Sequence, residues 1–200
     1  MDGPWPGFPA VLDGYQRCLG VKRMWCLRCG SKNPGPGEKC EICGYEVGPP
    51  DKRVGYFNQM MKLTGELLTE KLKLEEYEKS IQWATEAMDD MSRSMEPIEQ
   101  QIKAFGFDDL ALSMMNRPLK SFKEGIQTFH EGLEKLRFYV YEQTQSHLQN
   151  GLTLLEKANN LFNYTADTAS YMIGNIAKEL TPEQVSQVEK DVEERMAKRS

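Results

Sequence analysis

Between residues 26 and 44 the chain reads CLRCGSKNPGPGEKCEICG, a stretch that holds four of its five cysteines. They fall as Cys26-x2-Cys29 and Cys40-x2-Cys43, with ten residues between the pairs. Two residues between thiols is the span of a tight knuckle turn, which aims both sulfurs at one point. Two such knuckles supply four thiolates, the closed tetrahedral set that Zn²⁺ takes in structural sites. Gly30 and Gly44 each follow the second cysteine of a pair, where glycine accepts the positive φ that a knuckle often needs. Pro34-Gly35-Pro36-Gly37 makes the connection a turn with little freedom to lose. Cys26, Cys29, Cys40 and Cys43 are therefore the expected ligands of one structural zinc ion. A rubredoxin-type iron site uses the same two pairs. Disulfides or loose thiols are the other alternative, which fits poorly in a piece too short to build a core.

The pattern Cys26, Cys29, Gly30, Asn33, Pro34, Cys40, Cys43, Gly44 resembles the small zinc-ribbon module found at the ends of bacterial and archaeal proteins. The resemblance covers about a tenth of the chain. It implies a metal-stapled pair of β-knuckles and zinc, and no single activity. The stretch is also similar to the zinc finger of a Ran-binding nucleoporin, which has a tryptophan, two cysteines, an asparagine and two further cysteines. Trp25 here adjoins Cys26 directly, where that family places one residue between them. Gly30-Ser31 stands where its ubiquitin-binding members carry a threonine and an aromatic.

Four thiolates leave no open position for a substrate. His130 and His147 lie about a hundred residues further on in a helix-forming region and read as surface or boundary residues. No Gly-rich phosphate loop, nucleophile elbow or paired-acid motif is present. The expectation is a protein that is not an enzyme. Cys18 reads as a free thiol.

Residues 14–37 carry Arg17, Lys22, Arg23, Arg28 and Lys32 and no acid. One use for these cations is to offset the −2 charge of a zinc with four thiolates. Another is to neutralise phosphates while Trp25 and Tyr15 stack on bases, which would make Arg17, Lys22, Arg23, Trp25, Arg28 and Lys32 contacts to single-stranded RNA or DNA, or to an acidic partner. The net charge of −5 argues against coating nucleic acid along the whole length. Residues 1–50 are close to balanced, with six basic against five acidic side chains, so the acidity belongs to the rest.

What must carry this site is helical. After Gly48-Pro49-Pro50 the composition shifts to Glu, Lys, Leu, Met and Gln, all good helix formers. Met60, Leu63, Leu67, Leu74, Tyr77, Ile81, Ala84, Met88, Met91 and Met95 step by three and four residues, with one slot skipped at Glu70. That spacing predicts one helix of about 40 residues, about 60 Å long. Pro97 is expected to begin the next segment, Gly106 to break it and Pro118 to begin another. Leu119, Phe122, Ile126, Phe129, Leu133, Leu136 and Val140 then form the most regular heptad run in the chain. Asn150-Gly151 reads as a helix stop, with Thr153-x-x-Glu156 as a capping box for a restart. Without that stop, residues 118–179 would be one helix antiparallel to 55–116 in a long coiled-coil hairpin.

The expected architecture is mostly α. It comprises an arm at 1–23, a zinc ribbon of small β-knuckles at 24–48, a linker at 49–54, an antiparallel helical bundle or coiled coil at 55–180, and a terminal helix at 181–200. No apolar run is long enough to span a membrane, the N-terminus lacks the form of a secretory signal, and a cytoplasmic home follows. The expected role is interaction with protein partners, including copies of the chain itself. The alternative is single-stranded nucleic-acid binding.

Overall fold

A computed structural model describes residues 25–32, 39–47, 55–104 and 109–179. The arm at 1–23, the linker, Gly106, the Pro34–Gly37 turn, Cys18 and the terminal helix at 181–200 lie outside those residues. Among the described residues there are four helices: α1 Tyr56–Leu68, α2 Leu74–Ala104, α3 Asp109–Glu142 and α4 Gln145–Glu179. No strand is present among them. The expected β-knuckles reduce to one antiparallel bridge, Lys39 with Glu46.

The heptad positions supply the core. Met60, Leu63, Tyr77, Ile81, Ala84, Met88 and Met95 are buried, as are all seven residues of the run from Leu119 to Val140. Leu67, Leu74 and Met91 pack against them, half-buried.

The breaks fall elsewhere than expected. The predicted 40-residue helix is two helices. α1 ends with Glu70 at φ +58°, the Glu70 N–H donating to the Leu67 carbonyl at 3.0 Å and the Lys71 N–H to the Glu66 carbonyl at 2.8 Å. This pair of bonds is a Schellman motif, closed here on a glutamate where glycine is usual. α2 then starts with the Lys73 N–H donating to Glu76 Oε2 at 3.0 Å, half of a capping box. Neither proline opens a helix. α2 runs through Pro97 to Ala104, and Pro118 lies inside α3. Pro118 and Leu119 are buried, and the Thr165 hydroxyl of α4 donates to the Pro118 carbonyl at 3.4 Å, so tertiary packing holds a turn that the missing N–H would loosen.

Asn150-Gly151 does not stop a helix either, because α4 runs through it. The turn comes at Gln143–Thr144, with Gln143 at φ +51°. That folds α3 and α4 into an antiparallel hairpin and rules out the single helix over 118–179. Gly151 is helical for a packing reason: a Cβ there would come 2.7 Å from Leu136 and 3.0 Å from the Gly132 carbonyl oxygen. Gly132 has the reciprocal relation, with Leu155 at 2.8 Å and the Gly151 carbonyl at 3.0 Å. The two backbones therefore touch where the helices cross. Further along, Phe162 of α4 lies over Gly125 and packs against Phe122 at a ring separation of 5.4 Å. α2 lies antiparallel on α3, with Glu78 receiving the Tyr141 hydroxyl at 2.7 Å and Asp89 paired with His130 at 3.2 Å. α1 packs on α2, where Thr64 and Tyr77 share a buried hydroxyl pair at 2.6 Å.

Candidate metal centre

Each thiol pair sits on a turn with the same construction. In the first knuckle the Cys29 and Gly30 N–H groups both donate to the Cys26 carbonyl, at 3.3 and 2.8 Å. In the second the Gly44 N–H donates to the Cys40 carbonyl at 2.7 Å. The glycines that end the knuckles, Gly30 and Gly44, stand at φ +75° and +72°, the left-handed region expected of them. The first knuckle is closed by the Cys26 N–H on the Ser31 carbonyl at 2.9 Å, and the second by the Cys40 N–H on the Tyr45 carbonyl at 2.7 Å.

These turns bring one sulfur from each of Cys26, Cys29, Cys40 and Cys43 within 4.8 Å of all the others. All four are free thiols. Cys26 and Cys43 sulfurs are 3.7 Å apart, and so are those of Cys29 and Cys40. Two thiolates at ~2.3 Å from one tetrahedral ion would lie about 3.8 Å apart. The four cysteines are thus positioned to hold one metal ion.

The donors are graded by depth: Cys26 and Cys40 are buried, Cys29 is half-buried and Cys43 is exposed. Burial pushes the Cys26 thiol well up from its ordinary value, against amides of Arg28 and Cys29 that favour the thiolate. Burial likewise raises Cys29, partly offset by the Ser31 amide. Burial also opposes the Cys40 thiolate, yet the amides of Cys43 and Ile42 bring that group below the usual thiol value. Backbone N–H groups are therefore aimed at the sulfurs, while closeness and burial work against four uncompensated charges. A cation held among the four sulfurs would reconcile the two.

The first knuckle does not stand apart from the helices. Trp25 and Leu27, on either side of Cys26, belong to the same apolar core as Met60 and Leu63. The Trp25 N–H donates to the Tyr56 hydroxyl at 3.2 Å. Gln59 takes the Leu27 N–H on Oε1 at 3.1 Å and donates Nε2 to the Trp25 carbonyl at 3.2 Å. Trp83 of α2 lies so close over Gly30 that a Cβ there would be 2.5 Å from its indole. The second knuckle is tied more lightly, by Lys62 of α1 to Glu46 at 3.0 Å. Lys62 also stands 4.8 Å above the ring of Tyr45, whose hydroxyl is buried with no hydrogen-bond partner among the described residues.

Of the six residues expected as nucleic-acid or acidic-partner contacts, Arg17, Lys22 and Arg23 lie outside the described residues. Trp25 is 4% exposed, so its ring offers no open face to a base. Arg28 pairs with Glu66 of α1 at 3.4 Å. Lys32 sits 4.3 Å from the centre of the Trp25 ring and 3.8 Å from Asp90 of α2. His130 and His147 pair with Asp89 and Glu142, far along the chain from the thiols.

Sequence reasoning missed the supports: Tyr56, Gln59 and Trp83. A signal existed for Gln59. Tyr56, Gln59, Met60 and Leu63 occupy one face of α1 at spacings of three, four and seven. A glutamine inside an apolar stripe must have its amide satisfied.

The chain matches no known protein family, and no curated protein or solved structure matches it either. No helix among the described residues is long and apolar enough to cross a membrane.

Proposed function

We propose that this chain is a non-enzymatic zinc protein, in which Cys26, Cys29, Cys40 and Cys43 hold one structural Zn²⁺ and the stapled knuckles form a docking surface on a helical body. The observation that carries this reading is the approach of four free sulfurs to within 4.8 Å of one another. Zinc is favoured because a closed all-thiolate tetrahedron is its usual structural site, and the resemblance to zinc ribbons points the same way. Free thiols fit a reducing compartment. A four-thiolate sphere has no vacancy for substrate, which supports binding over catalysis. At the tip of the second knuckle Ile42 is 74% exposed, beside the exposed Cys43 and Gly44. A rigid turn that presents an apolar side chain to solvent suits recognition of a partner protein.

The test begins with metal analysis of the purified chain. One zinc per chain, lost in Cys40→Ser, is the expected result. A stoichiometric iron with visible absorption, or no metal at all, defeats the zinc assignment. Affinity purification from the native host then compares the whole chain with Cys40→Ser. Partners retained by the wild type and lost with the zinc are expected. An identical set from both proteins defeats the docking role.

A further inference from the structure

The segment that carries Cys26 depends on α1 for its backbone bonds. Trp25 N–H, Trp25 carbonyl and Leu27 N–H all end on side chains of α1: Tyr56, Gln59 and Gln59. Buried backbone groups must be paired, so this segment keeps its course only while α1 is in place. Gln59 alone grips the residue before Cys26 and the residue after it. Through those bonds it fixes the stretch of chain from which the deepest sulfur projects.

The dependence also runs the other way. α1 has 13 residues, a length at which an isolated helix is marginal in water. Its buried face, Tyr56, Gln59, Met60, Leu63 and Thr64, shares a core with Trp25 and Leu27 of the knuckle. The hairpin of α3 and α4 is different. Its crossing at Gly132 and Gly151 and its cluster of Phe122, Phe129 and Phe162 are formed from its own residues.

We propose that Gln59 is a positioning residue for the metal centre, and that metal occupancy and the docking of α1 are one coupled equilibrium. The metal-binding reading above is its premise. With the ion held, the knuckle is fixed and α1 is seated between it and α2. When the ion leaves, the knuckle and α1 loosen together while the α3–α4 hairpin stays folded. Coupling of this kind is reciprocal, so loosening the Gln59 bonds weakens metal binding although every ligand remains.

The experiment uses the full-length chain and Zn²⁺ in competition with a chromophoric chelator. Gln59→Leu, close in volume to the native side chain, is expected to lower zinc affinity on the order of tenfold or more with helix content retained. Gln59→Glu keeps an acceptor for the Leu27 N–H and loses the donor to Trp25, so its affinity falls between wild type and Gln59→Leu. Thr165→Val, a buried change in the α3–α4 hairpin, leaves affinity unchanged. Hydrogen exchange of wild type with and without chelator is expected to show residues 56–68 losing protection and residues around 132 and 151 keeping it. Zinc affinity equal in Gln59→Leu and wild type, or protection at 56–68 indifferent to chelator, overturns the coupling while zinc binding itself stands. A wild-type chain that binds no zinc overturns both.

Discussion

At the scale of single residues, two glycines with the same backbone conformation do different amounts of work. Gly30 and Gly44 both stand near φ +70°, where an L side chain is strained by roughly 1–2 kcal/mol. Around Gly44 a Cβ meets nothing within 4 Å, whereas at Gly30 it would enter the Trp83 indole at 2.5 Å. The same substitution therefore separates knuckle geometry from knuckle seating. Gly44→Ala is expected to cost only the backbone strain, about 1 kcal/mol. Gly30→Ala adds the displacement of the half-buried Trp83 indole and is expected to cost about 3 kcal/mol, as overpacking and strain combine. Urea unfolding of both variants, followed by Trp fluorescence, checks this. Equal losses would mean that Trp83 has room to move. The identity and conformation of both glycines were legible from their place after each thiol pair. The indole over one of them was not, because nothing local ties residue 83 to residue 30.

At the scale of elements, the heptad stripes told which residues are buried but not where the helices end. Seven positions from Leu119 to Val140 and most of those from Met60 to Met95 went where the period placed them. The ends were hidden because they carry atypical residues. Glu70 and Gln143, at φ +58° and +51°, fill left-handed positions that usually hold glycine. Meanwhile Asn150-Gly151, which looks like a stop, is retained inside α4 so that it can meet Gly132 closely. Pro97 and Pro118 misled similarly: α2 runs through the first, and at the second the burial of Pro118 and Leu119 overrides the preference for a first turn. Two substitutions turn this into a measurement. Glu70→Gly relieves a left-handed side chain and, after the greater freedom of unfolded glycine is subtracted, is expected to stabilise by about 0.5–1 kcal/mol. Gly151→Ala improves helix propensity by about 1 kcal/mol but drives a methyl against Leu136 and the Gly132 carbonyl. The net is expected to be a loss of at least 1 kcal/mol. Thermal midpoints of the two variants should move in opposite directions. If Gly151→Ala were stabilising, a methyl at 151 would not meet the Gly132 carbonyl as closely as 3.0 Å.

At the scale of the whole molecule, the metal centre and the helical body share one seam, and buried tyrosines line it. The Tyr56 hydroxyl accepts from the first knuckle, Tyr77 bonds Thr64 beneath α1, and Tyr45 packs beside the thiols. Burial raises the phenol of Tyr56 to about 12. Burial raises Tyr77 and Tyr45 as well, Tyr45 with a contribution from Glu66. An unfolded tyrosine ionises near pH 10. Above that pH the unfolded chain gives up protons that the folded chain keeps. The stability contributed by keeping these phenols neutral is therefore fully present below pH 10 and is lost as pH rises towards 12 and beyond. Each well-buried phenol adds a slope of up to about 1.4 kcal/mol per pH unit. The readout is urea stability by circular dichroism between pH 10 and 12, in wild type and in Tyr77→Phe. Wild type is expected to fall steeply, and Tyr77→Phe, which starts weaker for want of the Thr64 bond, to fall less steeply by up to one proton's slope. A stability curve flat from pH 10 to 12 would mean that these phenols are as open to solvent in the folded chain as in the unfolded one, and that the seam between knuckle and helices is not dry.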